Sequence, residues 1–423
     1  MKTELEQNLL NQLKLVKNSA RYLRAASAER KNAVLLQAAK LLGEMKEVIL
    51  RANAEDLKNL DPAKSTSAFR DRLTLNDKRI DQMIESLKQV ATLSDPVGEI
   101  DEEKTLENGL RVQRTRSPLG VIFMIFESRP NVAIEAFSLG FKAGNAMILR
   151  GGKESRLTSD VLYGILSEAI DSQNIAPEVL WGISDPDREI PAFLLKQRQW
   201  IDVVVPRGGD SLIHYVVENS TIPIIKNDRG MCHVYVHEDA DLEMAQTIVA
   251  NAKTQRPGVC NAMETLLVHH EVAPKLLPKL YDTLKKKNVV WFGCPETLKI
   301  LSGREAVYPA SEESWDTEYL DYKINCRVVG SQVEAEEHIS SHGSGHSEAI
   351  ITKSPEAARR FEREIDAAAV YWNASTRFTD GFELGLGGEL GISTQKLHVR
   401  GPVGLRELTS LRWIIEGNGQ IRN

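Results

Sequence analysis

What is scarce in this sequence narrows the reading first. Cys232, Cys260, Cys294 and Cys326 are the only 4 cysteines in 423 residues, and no two form a C-x-x-C pair. That pattern excludes a disulfide framework and a cysteine zinc site, and it suits a reducing, cytoplasmic setting. No run of about 18 apolar residues occurs, so no segment is expected to span a membrane. The acidic, amphipathic start Met1–Gln7 does not read as a secretory signal. Basic charge is not in excess: the net charge of -6 offers no field for nucleic acid. No G-x-G-x-x-G follows an expected strand. Residues 385–391 come nearest, with Leu390 where the last glycine belongs, so the standard dinucleotide fingerprint is missing.

What is present belongs to an ordinary globular chain, with 42% hydrophobic and 26% charged residues. Its length predicts two or three domains. Residues 1–93 read as helices, with Ser27 and Asn76 as caps before apolar positions spaced by three and four. Asn108-Gly109 signals a type I′ hairpin in a basic, alternating ribbon. Such a ribbon has little core of its own and is expected to pack on something else, another subunit included.

From Pro118 an α/β rhythm begins. Strands are expected at Val121–Phe126, Ala146–Leu149 and Ile201–Val205. A second α/β half starts near Ile222–Ile225, with strands at Val234–Val236, Thr265–Val268, Val289–Phe292, Val370–Asn373 and Leu411–Ile415. Each early strand ends in a Gly-, Arg- or Asn-containing loop that leads into a helix. In open parallel sheets, ligands bind at those carboxyl ends, and helix N-termini there favour anions.

One stretch, Lys253–Glu264, places Cys260 on a tight turn made by Pro257 and Gly258 between a helix and a strand. A thiol so presented is open to a substrate; the plain alternative is a small buried hydrophobe. The loops Gly151-Gly152-Lys153 and Arg207-Gly208-Gly209 either cradle a dinucleotide phosphate or are ordinary βα turns. Asn131 can donate to an oxyanion or cap a helix. Arg129 can clamp a carboxylate or pair with Glu127. His338, His342 and His346 are spaced by four, but Gly343 and Gly345 argue against a continuous helix, and no metal site is expected.

Seven segments carry a resemblance over nearly the whole chain: Phe126–Asn131, Leu149–Ser155, Val204–Gly209, Gly258–Thr265, His342–Ile350, Val370–Phe378 and Arg400–Leu405. Through them the chain resembles the γ-glutamyl phosphate reductase family, a branch of the aldehyde dehydrogenase superfamily. Glu336 departs from the family pattern and is expected to be helical and exposed.

The resemblance implies an α/β, aldehyde dehydrogenase-like fold of two parallel-sheet domains plus a small β oligomerisation flap. The NADP-binding domain would be 1–100 and 118–225, the catalytic domain 226–385, and the flap with the C-terminal segment 101–117 and 386–423. It implies NADPH-dependent reduction of L-glutamyl 5-phosphate to L-glutamate 5-semialdehyde in proline biosynthesis, through a thioester on Cys260 with Asn131 at the oxyanion. Arg150, Lys153, Arg207, Gly208 and Gly209 would hold NADP(H). Glu127, Arg129, His346, Ser347, Asn373 and Ser375 are the candidates for the substrate's amino and carboxylate groups. A homo-oligomer and a transient contact with the upstream glutamate kinase belong to the same expectation. Hydrolytic relatives carry a general-base Glu ahead of the cysteine; the aligned segment Lys226–Gly230 has none. The alternatives are a superfamily member oxidising another aldehyde, a cysteine hydrolase using a histidine, and a structural protein with an inert Cys260.

Overall fold

A computed structural model describes residues 3–61, 66–226 and 229–422. It forms two compact units, Met1–Lys226 with Leu386–Gly391 and Val403–Asn423, and Asn227–Gly385 with Ile392–Pro402. The C-terminal segment 386–423 is thus shared. Ile392–Pro402 goes with the second unit, where Asp366 holds both Lys396 and Arg400.

The first unit opens with the expected helices. Ser27 and Asn76 cap Ala28–Glu44 and Asp77–Thr92 through their side-chain oxygens, each satisfying a backbone N–H that a helix start leaves without a partner. A parallel sheet follows, in the order Leu180–Gly182, Ala146–Arg150, Val121–Phe126, Val203–Arg207. Every residue of Val121–Phe126 is buried, as a strand covered on both faces requires. Ile222–Ile225 does not open the second half. Ile224 only bridges to Val204, so this stretch closes the first sheet instead.

The ribbon pairs as expected, Ile100–Thr105 with Arg111–Pro118, and Arg111–Pro118 with Thr409–Glu416. Its turn is not type I′. Gly109 has positive φ but Asn108 does not. Gly109 N–H donates to Leu106 O and Leu106 N–H to Leu110 O, giving a three-residue loop that ends in a left-handed glycine.

The second unit is built on a seven-stranded sheet: Val307–Pro309, Val290–Gly293, Lys323–Val329, Met263–His269, Cys232–Val236, Ser347–Ile351, Ala369–Trp372. All of its pairs are parallel. Helices Leu242–Thr254 and Ala273–Lys285 pack on one face around Val234, Leu266 and Ile324. Helices Gln332–His342 and Pro355–Glu364 pack on the other around Tyr235, Leu267 and Ile350. Glu336 is helical but buried, not exposed. Its carboxylate takes Arg360 of the neighbouring helix at 2.8 Å, and that pairing makes burial of the charge tolerable.

The helix Gln332–His342 stops at Gly343, as the glycines predict. Among the described residues no group of His, Cys, Asp and Glu is arranged to hold a metal. His338 is buried, with Nδ1 accepting from Arg327 Nη1 at 3.0 Å. Burial, with help from His233, His342 and Arg327, pushes its imidazole down to about 2. The native state therefore keeps His338 neutral, whereas the unfolded chain takes up a proton below pH about 6.5. Stability from this group is complete above that value and is lost as pH falls. Between pH 7 and pH 5 the loss is about 2 kcal/mol. Urea unfolding of His338→Gln at the two pH values should show a smaller difference than the parent; an equal difference would clear His338 of the effect.

Candidate active site

Cys260 lies in the turn between helix Leu242–Thr254 and strand Met263–His269, and it is partly exposed. The strand starts earlier than its β-branched core suggests, so the thiol sits three residues before the first strand residue. Because every strand here is parallel, Cys260, Gly230-Met231, Gly343–His346 and Ala367-Ala368 share the amino-terminal edge of the sheet. This departs from the expectation that ligands gather at carboxyl ends. The helix-to-strand turn that carries the thiol necessarily opens at the strand's start.

The turn is fixed from three sides. Lys253, at the end of the helix, and Glu264, in the strand, form a fully buried pair at 2.8 Å. Burial pushes Glu264 up to about 7 and Lys253 down, while their attraction pulls both back. Gly230 lies against the backbone of Cys260; a Cβ there would stand 1.6 Å from Cys260 O. Cys232 donates its thiol hydrogen to that same oxygen at 3.2 Å. Asn261 donates to Thr379 O at 2.8 Å and its carbonyl accepts from Thr376 Oγ1 at 2.8 Å.

Behind the turn runs a buried polar chain. His346 Nδ1 is 3.6 Å from Cys232 Sγ and 2.8 Å from Ser347 Oγ. Ser347 Oγ lies 2.6 Å from Thr379 Oγ1, which meets Tyr371 OH at 2.7 Å. The structure thus brings His346 and Ser347 to the Cys260 turn, but both are fully buried and act there through Cys232 and Thr379. Ser375 caps the short turn Thr376–Phe378 and is likewise buried. Asn373 follows strand Ala369–Trp372 at the opposite edge, where its amide oxygen accepts from Thr352 N–H at 3.0 Å and its amide nitrogen donates to Thr352 O at 2.9 Å. These bonds lock the strand end, away from the Cys260 turn.

Sequence reasoning missed Gly230, Cys232, Lys253, Glu264 and Arg377 as parts of this site. Arg377 donates from Nε to Gln255 Oε1 at 2.9 Å; burial first, then Arg256, pushes its guanidinium below the usual range, against the pull of Asp380, Cys260 and Cys232. A neighbouring cation favours the thiolate. Of the segment that lacks the general-base Glu, Asn227 and Asp228 lie outside the described residues. Gly230 N–H donates to Glu318 Oε1 at 2.9 Å, which engages that oxygen.

In the first unit the expected loops do follow strand carboxyl ends. Arg150, Gly151, Gly152, Lys153 and Arg156 line one cleft. A Cβ on Gly152 would stand 2.1 Å from Ser128 Oγ, so the loop must be glycine to pack there. Arg150 donates to Asp187 O at 2.8 Å, and its buried Nε has no hydrogen-bond partner among the described residues. Gly208 and Gly209 pack against Glu127, whose Oε1 accepts from Gly209 N–H at 2.5 Å. Asn131 begins helix Asn131–Lys142, but its side chain does not cap it. Its amide instead donates to Glu135 Oε1 at 2.9 Å. Glu135 is held above the usual carboxylate range by burial, against the pull of Asn131 and two arginines.

The profile of the Aldehyde dehydrogenase family matches residues 12–291. The chain is 50% identical over 414 residues to the gamma-glutamyl phosphate reductase of Carboxydothermus hydrogenoformans, covering 98% of this chain and 99% of that one. It is 50% identical to the Moorella thermoacetica protein of the same name, with 96% of each covered. The crystal structure of gamma-glutamyl phosphate reductase from Thermotoga maritima, 43% identical, superposes with a TM-score of 0.95 over 98% of this chain and 100% of that one.

Gly230→Ala is expected to push Cys260 O from its place, because the contact is backbone to backbone and cannot be relieved by a rotamer. Turnover should fall by about 100-fold or more, as misplacement by about 1 Å commonly costs, with an unchanged circular dichroism spectrum. Full activity in that variant would remove Gly230 from the site. With the thiol on its braced turn and these matches across its length, the chain belongs to the gamma-glutamyl phosphate reductase branch of the aldehyde dehydrogenase family.

Proposed function

We propose that this chain reduces L-glutamyl 5-phosphate to L-glutamate 5-semialdehyde and phosphate, with NADPH as reductant and Cys260 as nucleophile. The observation that carries the reading is the Cys260 turn itself. It is partly exposed, braced by a buried ion pair, and set in a chain half identical to reductases of that name.

The Cys260 thiolate attacks the acyl carbon, a C–S bond forms, and the C–O bond to phosphate breaks. A free thiol is only a few per cent ionised at neutral pH, and a cation brought near it would favour the thiolate. The tetrahedral oxygen needs a donor, and loss of one such donor costs about 10²–10³ in rate. Asn131 is proposed for this part from its place in the Phe126–Asn131 motif. Glu135 orients its amide by taking one of the two N–H groups. The segment Lys226–Gly230 has no Glu to activate water against the thioester; its carboxylate, Asp228, lies outside the described residues.

Family membership brings a nicotinamide cofactor, which supplies hydride when bound. The Gly151–Lys153 loop fits its phosphates: glycines admit the backbone, and Arg150, Lys153 and Arg156 line one cleft. Arg207, Gly208 and Gly209 are proposed for the same ligand. Lys153, with Arg150 close to it, suits a 2′-phosphate, hence NADP over NAD. No described helix is long and apolar enough to cross a membrane. A cytoplasmic location, a homo-oligomer and a transient contact with the upstream kinase are our reading from the resemblance.

Cys260→Ala should abolish phosphate-dependent reduction of NADP by glutamate semialdehyde; residual turnover above about one part in a thousand would remove the nucleophile. Turnover without phosphate in the parent protein would favour the oxidation of another aldehyde. Lys153→Ala should weaken NADPH about tenfold and NADH little, read by nicotinamide fluorescence. Equal losses would take the 2′-phosphate away from Lys153.

A further inference from the structure

A cavity of about 340 Å³ opens in the second unit, beside the carboxy-terminal end of helix Gln332–His342. Gly343–Gly345 and Ile365–Ala367, which lead into two neighbouring parallel strands, form its sides. Lys396 and Arg400 reach it from the C-terminal segment. Its volume falls in the range of small-molecule sites, about 300–1,000 Å³.

Two residues that line this cavity each carry a buried polar atom with no hydrogen-bond partner among the described residues. One atom is an acceptor, the other a donor. Glu348, fully buried, supplies the acceptor. Its Oε2 accepts from His233 N–H at 2.7 Å and lies 3.0 Å from His233 Nδ1, and its Oε1 is left over. A buried carboxylate with one oxygen unpaired gains from a cation brought to that oxygen. The chain beside Oε1 must be glycine: a Cβ on Gly343 would stand 3.1 Å from it and 2.4 Å from Ile339 O.

Arg400 supplies the donor. Its Nη2 donates to Asp366 O at 2.8 Å and lies 2.6 Å from Asp366 Oδ1, and its Nε is left over. Lys396, mostly exposed, pairs with the other oxygen of Asp366. Two cations thus share one carboxylate, and a guanidinium offers a fixed fork for a second. The buried side chains of Ile339 and Ile365 give the same cavity an apolar wall.

We propose that this cavity binds an amino acid as its zwitterion, with the ammonium on Glu348 Oε1, the carboxylate on Arg400 and Lys396, and apolar carbon against Ile339 and Ile365. A lone anion leaves Glu348 Oε1 unpaired, and a lone cation leaves Arg400 Nε unpaired. A ligand with both charges answers both. A free amino acid is one source. The amino acid end of a glutamyl substrate carries the same two charges and is the other, since the loops that form the cavity lie on the sheet edge that also carries Cys260. The site stands on the cavity alone; only the second source rests on the proposed function.

The test uses the full chain and L-leucine, with binding read by titration calorimetry. The parent protein should bind L-leucine. N-acetyl-L-leucine, which lacks the ammonium, and L-leucinamide, which lacks the carboxylate, should each bind about tenfold more weakly or worse, as the loss of a charge-assisted bond implies. Glu348→Gln and Lys396→Met should each weaken L-leucine about tenfold. Lys396 is exposed, so its variant tests the site even where Glu348→Gln fails to fold, and it should leave the weak binding of L-leucinamide unchanged. If the parent binds L-leucine no better than the two blocked forms, or if Lys396→Met binds it as the parent does, the site is overturned. The KM for glutamate semialdehyde separates the sources. A rise of about tenfold in the variants, with L-leucine competing, assigns the site to the substrate's own end; a KM within about twofold assigns it to a free amino acid. A parent protein that binds L-leucine but shows no phosphate-dependent turnover would sink the proposed reaction and leave the zwitterion site standing.

Discussion

One buried contact underlies the turn that carries Cys260. Lys253 and Glu264, both without solvent exposure, meet at 2.8 Å and tie the last turn of a helix to the second residue of a strand. Breaking such a pair by removing one partner costs about 3–5 kcal/mol, since the other charge is left buried alone. Everything between them, Cys260 included, is a loop whose ends this pair holds. Leu320 N–H adds a second bond, to Glu264 Oε1 at 3.2 Å. The thiol can therefore stay partly exposed without the turn around it being loose.

The two units use their sheets in opposite ways. In the first, loops after the strands carry Glu127, Arg129, Gly151–Lys153 and Arg207–Gly209, so cations and glycines gather at carboxyl ends. That arrangement suits anions. In the second, the chain approaches the sheet from helix to strand, and Cys260 stands at an amino-terminal edge. Its neighbours are the hydrogen-bonded groups Cys232, His346, Ser347, Thr379 and Tyr371, most of them buried. Buried hydrogen-bond networks hold the backbone around them in place, which is what the proposed nucleophile requires.

Elements whose causes are local were legible from the residues. Ser27 and Asn76 cap helices because a short side-chain oxygen reaches the N–H groups just beyond it. Gly343 ends a helix because glycine is a poor helix former. Burial and pairing were less legible. Glu336 looked exposed because a lone carboxylate usually is, yet Arg360 comes to it from a helix 24 residues on. Asn373 looked like a ligand contact, and the backbone of Thr352 takes both of its side-chain groups. Gly230 gave no sign in the sequence that its missing Cβ makes room for Cys260.

The sequence by itself determined the alternation of helix and strand, the turn that presents Cys260, and the family, because each rests on residues close along the chain or on motifs readable one at a time. The tertiary structure alone decided what surrounds that thiol. Lys253 and Glu264 are near in sequence, but only the fold buries them together. Glu336 and Arg360 are 24 residues apart, and a charge has no partner until packing brings one within reach. Side-chain chemistry is local, while the electrostatic field a substrate meets is summed over everything the fold has gathered.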